Sequence, residues 1–318
     1  MPSQREPDIA LLESPNWEDY ALLDTGGGWK LERFGKVVLQ RPEVQAIWPS
    51  SLPRKDWAGA QAIFKSSAEE AQGKWTVSMP LPKEWPLEYR IRSAASEPRG
   101  TTALRFHARL STSRHVGVFP EGAANWEWMS RLIVDRMAKT SAGASAPSVL
   151  NLFGYTGLAT LTAAAAGARV THVDASRTSV AWARANQEMS GLHAAPIRWI
   201  VDDAVKFVQR ETRRGVTYDG IILDPPKFGR GPKGEVWELF KDLPALLLAC
   251  RSVLSKTPLF VVATIYAVKA SALHAYQAVE AHLTGSEGRL ECGELVTREQ
   301  SGGRLLSQAV FARWSSDR

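Results

Sequence analysis

From about Gly122 onward the chain alternates between two hydrophobic periods. "AANWEWMSRLIVDRMAK" spaces Trp126, Met129, Leu132, Ile133 and Met137 as one helical face. After the small-residue stretch "TSAGASAPS", short apolar runs ("VLNLF", "RVTHVDAS", "IRWIVDDA", "YDGIILD", "LFVVATIY") take turns with helical patterns. Those helical patterns are "TGLATLTAAAAGA", "RTSVAWARANQEMSG", "VKFVQRETRRG" and "LFKDLPALLLACRSVL". Short, mostly apolar strands separated by helices imply a parallel sheet covered on both faces. "RLECGELVTRE" and "RLLSQAVFARW", joined by "QSGG", read as a closing antiparallel hairpin. The expected fold is α/β: a doubly wound, mostly parallel, seven-stranded Rossmann-like sheet with a reversed edge strand.

Upstream of Pro120 the pattern differs. Short alternating runs such as "YALLDTGGGWKLERFG", "KWTVSMPLP", "LEYRIRSA" and "TALRFHARL" are punctuated by Gly and Pro, which suggests a small β-rich domain. One helix is expected inside it, at "AGAQAIFKSSAEEAQ". The expected division is 1–120 for this accessory or substrate domain and 121–318 for the sheet.

Composition narrows the class only modestly. The 318 residues are 44% hydrophobic and 23% charged, as in ordinary soluble proteins. No apolar run reaches the roughly 18–20 residues of a membrane helix, and "MPSQREPDIALLESP" lacks the apolar core of a secretion signal. A cytoplasmic protein without membrane contact is expected. Cys250 and Cys292 are too few for a disulfide framework, and the histidines show no metal spacing, so no metal is expected. The net charge of +6 permits an anionic partner. Arg90, Arg92, Arg99, Arg105, Arg109 and Arg114 cluster along alternating runs, which one solvated face of a sheet would also produce. Arg90, Arg92, Arg105 and Arg114, with Arg230 and Lys233 further on, are candidate substrate-binding cations. Nothing here sets the oligomeric state.

Ligands of such sheets bind beyond the carboxyl ends of the strands. The first strand runs into "LNLFGYTGLAT", where Gly154 and Gly157 allow a tight turn and close approach to a ligand. The turn lacks the G-x-G-x-x-G spacing that wraps a pyrophosphate. The second strand ends in Asp174, able to accept from both hydroxyls of a ribose. The third ends in "VDDA", where Asp202 or Asp203 can accept from an adenine amine while the amide of Ala204 faces the ring. Aspartate is also a good helix N-cap, which is the plain alternative for each. A ribose and adenine without pyrophosphate indicate S-adenosylmethionine.

"LNLFGYTG", "THVDAS", "WARANQEMSGL", "VDDAVKFV" and "YDGIILDPPKF" resemble class I S-adenosylmethionine-dependent methyltransferases. More narrowly, they resemble the bacterial family containing the 23S rRNA large-subunit cytosine-C5 and guanine-N7 methyltransferases. The resemblance runs from about Arg114 to the C-terminus. It implies that Phe153, Gly154, Tyr155, Thr156 and Gly157 cradle the methionine end. It also implies that Asp174, with Ala175 and Ser176, holds the ribose, and that Asp203 holds the adenine. The segment "HVGVFPEGAANW" would cap the site, placing Phe119 and Glu121 near substrate, although Gly122 and Ala123 stand where relatives carry Gln-Arg.

"DPPKF" supplies the acceptor side. Asp224 and the carbonyls of the rigid Pro225–Pro226 pair can accept from a substrate amine. Phe228 can stack on a base and Lys227 can meet a phosphate or an oxygen. Cytosine-C5 transfer needs a thiolate, which relatives place after the next strand in a Ser-Cys-Ser setting. Here the matching residues are Thr264, Ile265 and Tyr266; Cys250 and Cys292 fall on a helix and a strand. Tyr266 can stack on the acceptor. The expected activity is S-adenosylmethionine-dependent methylation of a base nitrogen, rRNA first, without a cysteine nucleophile. A protein side chain or small molecule as acceptor is the alternative, and a nicotinamide-dependent oxidoreductase stands behind both.

Overall fold

The structure, a computed structural model, describes residues 6–316 except 16, 66–72, 92–101, 142–144, 267–269 and 284–287. Arg92 and Arg99 therefore lie outside the described residues. The chain opens with β1 (Ile9–Glu13), the strands β2 (Tyr20–Gly26), β3 (Trp29–Phe34) and β4 (Val37–Pro42), and a short helix α1 (Arg54–Trp57). Next come β5 (Ala62–Lys65), β6 (Lys74–Val77) and the hairpin β7 (Trp85–Ile91) and β8 (Thr102–Ala108). A 3-10 turn at Pro120–Gly122 leads into α2 (Ala123–Lys139). Alternation follows: β9 (Ser148–Leu152), α3 (Leu158–Ala165), β10 (Arg169–Asp174), α4 (Arg177–Met189), β11 (Ile197–Val201), α5 (Ala204–Arg213) and β12 (Gly220–Leu223). A small ribbon, β13 (Phe228–Arg230) and β14 (Val236–Glu238), precedes α6 (Leu239–Ser252). The chain closes with β15 (Phe260–Tyr266), α7 (Ala272–Leu283), β16 (Arg289–Arg298) and β17 (Leu305–Ser315).

The large sheet has the order β1-β16-β17-β15-β12-β9-β10-β11. Its apolar runs are continuous because successive residues enter opposite cores. In β9, Val149 faces one cluster with α2 and α3, while Leu150 faces the other with α5, α6 and α7. Ile221 and Ile222 of β12, and Val261 and Val262 of β15, divide in the same way. Only β17 runs against its neighbours, pairing antiparallel with β15 and β16. It is internal rather than terminal, because β16 and then β1 lie beyond it. β1 makes an eighth strand, parallel to β16. The segment expected to form a separate N-terminal domain thus lends one strand to the large sheet.

β2 to β6 form a second, five-stranded sheet, and β7 and β8 a third of two strands. In the hairpin Trp85, Leu87, Tyr89, Ile91, Leu104 and Phe106 are buried against the α2–α3 core, while Arg90 and Arg105 lie outside. The helix expected at "AGAQAIFKSSAEEAQ" is corrected: Ala62–Lys65 is a strand, parallel to β4 and antiparallel to β6. Two partner strands outweigh the local helix preference of its alanines. Residues 66–72 of that stretch lie outside the described residues.

Strand order reverses between β9 and β12. The crevice beyond their carboxyl ends is where a ligand belongs.

Candidate active site

Phe153 to Thr156, directly after β9, line that crevice. Phe153 and Tyr155 hold φ of 58° and 49°, the only positive values for non-glycine residues among those described. Each such residue costs of order 1–3 kcal/mol and persists only where its surroundings over-determine it. Here the Gly154 N–H donates to the Val173 carbonyl at 3.0 Å, and the Gly157 N–H to the Gly154 carbonyl at 3.0 Å. Gly157, at φ 86°, is the residue that caps the N-terminus of α3; a Cβ there would come within 2.8 Å of the Ala183 Cβ. The His172 ring lies against Gly154 so closely that no Cβ fits. Burial holds that imidazole down at about 3, so it is neutral, and Thr160 Oγ1 lies 2.9 Å from its Nδ1.

Asp174 terminates β10 beside this loop. Its Oδ2 accepts the Tyr155 N–H and its Oδ1 the Ser176 N–H, each at 2.8 Å. One lone pair per oxygen is left for a ligand hydroxyl. Burial raises the carboxyl above the usual range. Asp174 is not the cap of α4; Ser176 is, its Oγ accepting from the Ser179 N–H at 3.1 Å. The next strand end divides the other way. Asp203 caps α5, accepting from the Lys206 N–H at 2.9 Å, and Asp202 is ion-paired with Arg210. Both are half-buried, and Ala204 is buried as the first residue of α5.

Asp224 follows β12 and lines the crevice with Phe153, Tyr155, Phe119, Thr264 and Tyr266. Burial pushes its carboxyl up to about 8, with Glu121 and Asp174 adding repulsion. Pro225 is buried, whereas Pro226, Lys227 and Phe228 are exposed. The Pro226 carbonyl, expected to face substrate, instead accepts the Trp237 indole N–H at 2.7 Å. That bond and the Trp237–Phe153 ring contact (5.0 Å) fasten the β13–β14 ribbon to the strained loop. The glycines and alternation in "KFGRGPKGEVWE" are the local signal for this ribbon.

A strap, residues 114–122, closes the remaining side. The Thr156 hydroxyl donates to the Gly117 carbonyl at 2.6 Å, and the Ser14 hydroxyl to the Pro120 carbonyl at 2.8 Å. Phe119 stacks among His115 (4.7 Å), Tyr266 (4.8 Å) and Tyr155 (5.7 Å). Glu121 is buried and its carboxyl raised by that burial, despite Lys30 and Arg41. Asn125, which sequence reasoning missed, joins the wall through a 3.3 Å bond to Thr264. Its signal was a polar residue on a buried helix face.

Among the described residues, none of the candidate arginines lines the crevice. Arg90 and Arg105 both bind Glu88, at 2.9 and 3.0 Å; Arg109 binds Glu84 at 3.0 Å and stacks on Trp182 at 3.8 Å. Arg114, on the strap, has no acid within ion-pairing distance among the described residues. Arg230 and Lys233 sit on the exposed ribbon.

A family model described as S-adenosylmethionine-dependent methyltransferase matches residues 101–282. The solved structure of a SAM-dependent methyltransferase from Agrobacterium tumefaciens is 42% identical, with a TM-score of 0.85, covering 98% of this chain and 97% of that one. A chain described as a methyltransferase in complex with SAH shares the fold at 18% identity and a TM-score of 0.66, covering 96% of this chain and 76% of that one. Ribosomal RNA large subunit methyltransferase I of Aeromonas salmonicida is 39% identical over 30% of this chain and 24% of its own length. Ribosomal RNA large subunit methyltransferase K/L of Syntrophotalea carbinolica is 43% identical over 27% of this chain and 12% of its own length. The chain thus spans about a quarter or less of the curated relatives it matches.

Proposed function

This chain belongs to the S-adenosylmethionine-dependent methyltransferase family, and we propose that it transfers the methyl group to a nitrogen of a nucleic-acid base, ribosomal RNA being the first acceptor to test. The bound cofactor supplies an electrophilic methyl on a sulfonium. The residues present fit it: a glycine cradle with no room for a Cβ, and an Asp174 carboxylate with free lone pairs beside it. In this reading Phe153 to Gly157 hold the methionine end, Asp174 the ribose and Asp203 the adenine. Ala175 and Ser176, with Ala204, pack around the nucleoside, and Asp202 is left to Arg210.

The observation that carries the nitrogen assignment is the chemistry of the acceptor wall. Asp224 is its acid, flanked by the rings of Phe119 and Tyr266, and no thiol lines it. Cys250 is buried in α6 and raised by burial to about 12; Cys292 is buried in β16. A nitrogen lone pair needs positioning more than activation. Asp224 accepts a hydrogen bond from the acceptor amine or takes its proton, and the two rings hold the base between them. Phe228 and Lys227 stand outside, where they meet the flanking chain. Residues 1–120 act as the accessory part that grips substrate.

The relatives named as rRNA methyltransferases favour RNA. The neutralisation of Arg90, Arg105 and Arg109 by Glu88 and Glu84 favours the second reading, a protein or small-molecule acceptor. No helix among the described residues is long and apolar enough to cross a membrane, in keeping with a cytoplasmic enzyme. Mass spectrometry of rRNA nucleosides from a strain lacking the gene is the test. One missing N-methylated nucleoside is expected; a missing 5-methylcytidine, or an unchanged set, would overturn the assignment.

A further inference from the structure

Arg114 is unusual among the arginines of this molecule. It is half-buried, yet among the described residues its guanidinium has neither a hydrogen bond nor an ion-pair partner. Its own carbonyl is held by Arg41 Nη1 at 3.0 Å, so the residue is fixed on the strap while its side chain is left unsatisfied. Arg41 itself is saturated by Glu32, at 2.6 and 2.8 Å, and contributes only repulsion. Glu43, Glu32 and Glu121 attract it from beyond ion-pairing distance, but burial and Arg41 outweigh them and hold the guanidinium below its ordinary range. A cation drawn partly out of water with no directly bonded counter-charge is costly, and an arriving anion would relieve that cost.

The neighbourhood gives the anion its place. His115, next in the chain, makes no side-chain hydrogen bond among the described residues and packs on Phe119, the ring that lines the acceptor wall beside Tyr266. Burial and the charges of Arg41, Arg114 and Lys30 hold His115 well below its ordinary range, with Glu32 opposing. This imidazole is therefore neutral, so Arg114 supplies the positive charge and the ring offers the anion only a hydrogen-bond donor. The unpaired guanidinium thus stands next in the chain to His115, whose ring packs on Phe119 at 4.7 Å, one of the two rings that would hold the base. A planar fork of donors suits a phosphate oxygen pair.

Resting on the nucleic-acid reading above, we propose that Arg114, with His115 beside it, is the receptor for a phosphodiester flanking the acceptor base. It would anchor the strand so that one base reaches the wall formed by Phe119, Tyr266 and Asp224. The salt-bridged arginines of the β7–β8 hairpin are not needed for this step.

Fluorescence anisotropy with a short single-stranded oligoribonucleotide, across a salt series, tests it. Wild type, Arg114→Ala, Arg114→Lys and an Arg298→Ala control (an exposed arginine paired with Glu13) are compared, with SAH calorimetry to verify the cofactor site. Arg114→Ala should weaken RNA binding about tenfold and lower the slope of log K against log salt by about one, with SAH affinity unchanged. Arg114→Lys should recover most of the slope and less of the affinity, since it keeps the charge but not the fork. If wild type binds RNA with a salt slope and Arg114→Ala matches it, the receptor assignment is wrong while the RNA reading stands. If wild type shows no salt-dependent RNA binding, the RNA reading falls, and this inference with it.

Discussion

Two acids in this molecule, Glu32 fully enclosed and Asp224 half-buried in the crevice, have opposite fates. Glu32, in the N-terminal sheet, is fully enclosed and its carboxyl is held down at about 2, the Arg41 and Lys30 charges and the Arg41 and Tyr20 hydrogen bonds outweighing burial. Asp224, in the crevice, is pushed up to about 8 by burial, with Glu121 and Asp174 adding to the rise. The residue chemistry is the same; what differs is whether the fold supplies a counter-charge. In the sheet, Arg41 grips Glu32 with two bonds while its third reaches the Arg114 carbonyl, so the pair also fixes the strap. At the crevice Asp174 has its two backbone N–H donors, but among the described residues neither it nor Asp224 has an ion-pair partner. Unpaired acids beside a sulfonium site are an unfinished arrangement that a cationic ligand completes.

The comparison breaks most visibly at the paired end. Arg41→Ala leaves Glu32 charged and enclosed, and should cost about 3–5 kcal/mol in urea unfolding. The double substitution Glu32→Met with Arg41→Met should recover most of that loss, because two apolar groups of similar volume leave no orphaned charge.

Asp224 should behave in reverse. Its carboxyl titrates higher folded than unfolded, so its contribution to stability is complete below about pH 4 and is lost as pH rises towards about 8. Asp224→Asn cannot ionise. It should match wild type near pH 4 and exceed it above pH 8 by on the order of 1–3 kcal/mol, a range reduced for the group's contact with cavity water. Thermal melts across pH read this directly, and a variant less stable than wild type at pH 9 would refute the desolvated state.

The smallest effect belongs to Ser176. Its cap of α4 is exposed, and Ser176→Ala should cost about 1 kcal/mol with little pH dependence. A much larger loss would mean that the Asp174 turn depends on it as well.

How far the sequence discloses this arrangement depends on how local each part is. The large sheet is legible because the apolar strands β9, β12 and β15 are buried on both faces. The strained loop and Asp174 are legible too, since a glycine turn and a strand-end acid lie a few residues apart. β5 reads as helix because alanines and glutamates surround its Ile63–Phe64 pair in "AGAQAIFKSSAEEAQ", and pairing with β4 and β6 decides otherwise. β1 gives no local sign that Ile9–Glu13 will meet Cys292–Val296. The Glu32–Arg41 pair, assembled from β3, β4 and a distant strap, is invisible for the same reason. So is the loss of the Pro226 carbonyl to Trp237, which needs the ribbon to fold back.

The most direct test of the account is transfer of a radiolabelled methyl group from S-adenosylmethionine into a cell extract by wild type and by Asp224→Ala. We expect nuclease-sensitive label with wild type, and loss of it in the variant while SAH binding persists. Protease-sensitive label, or undiminished transfer by Asp224→Ala, would contradict it.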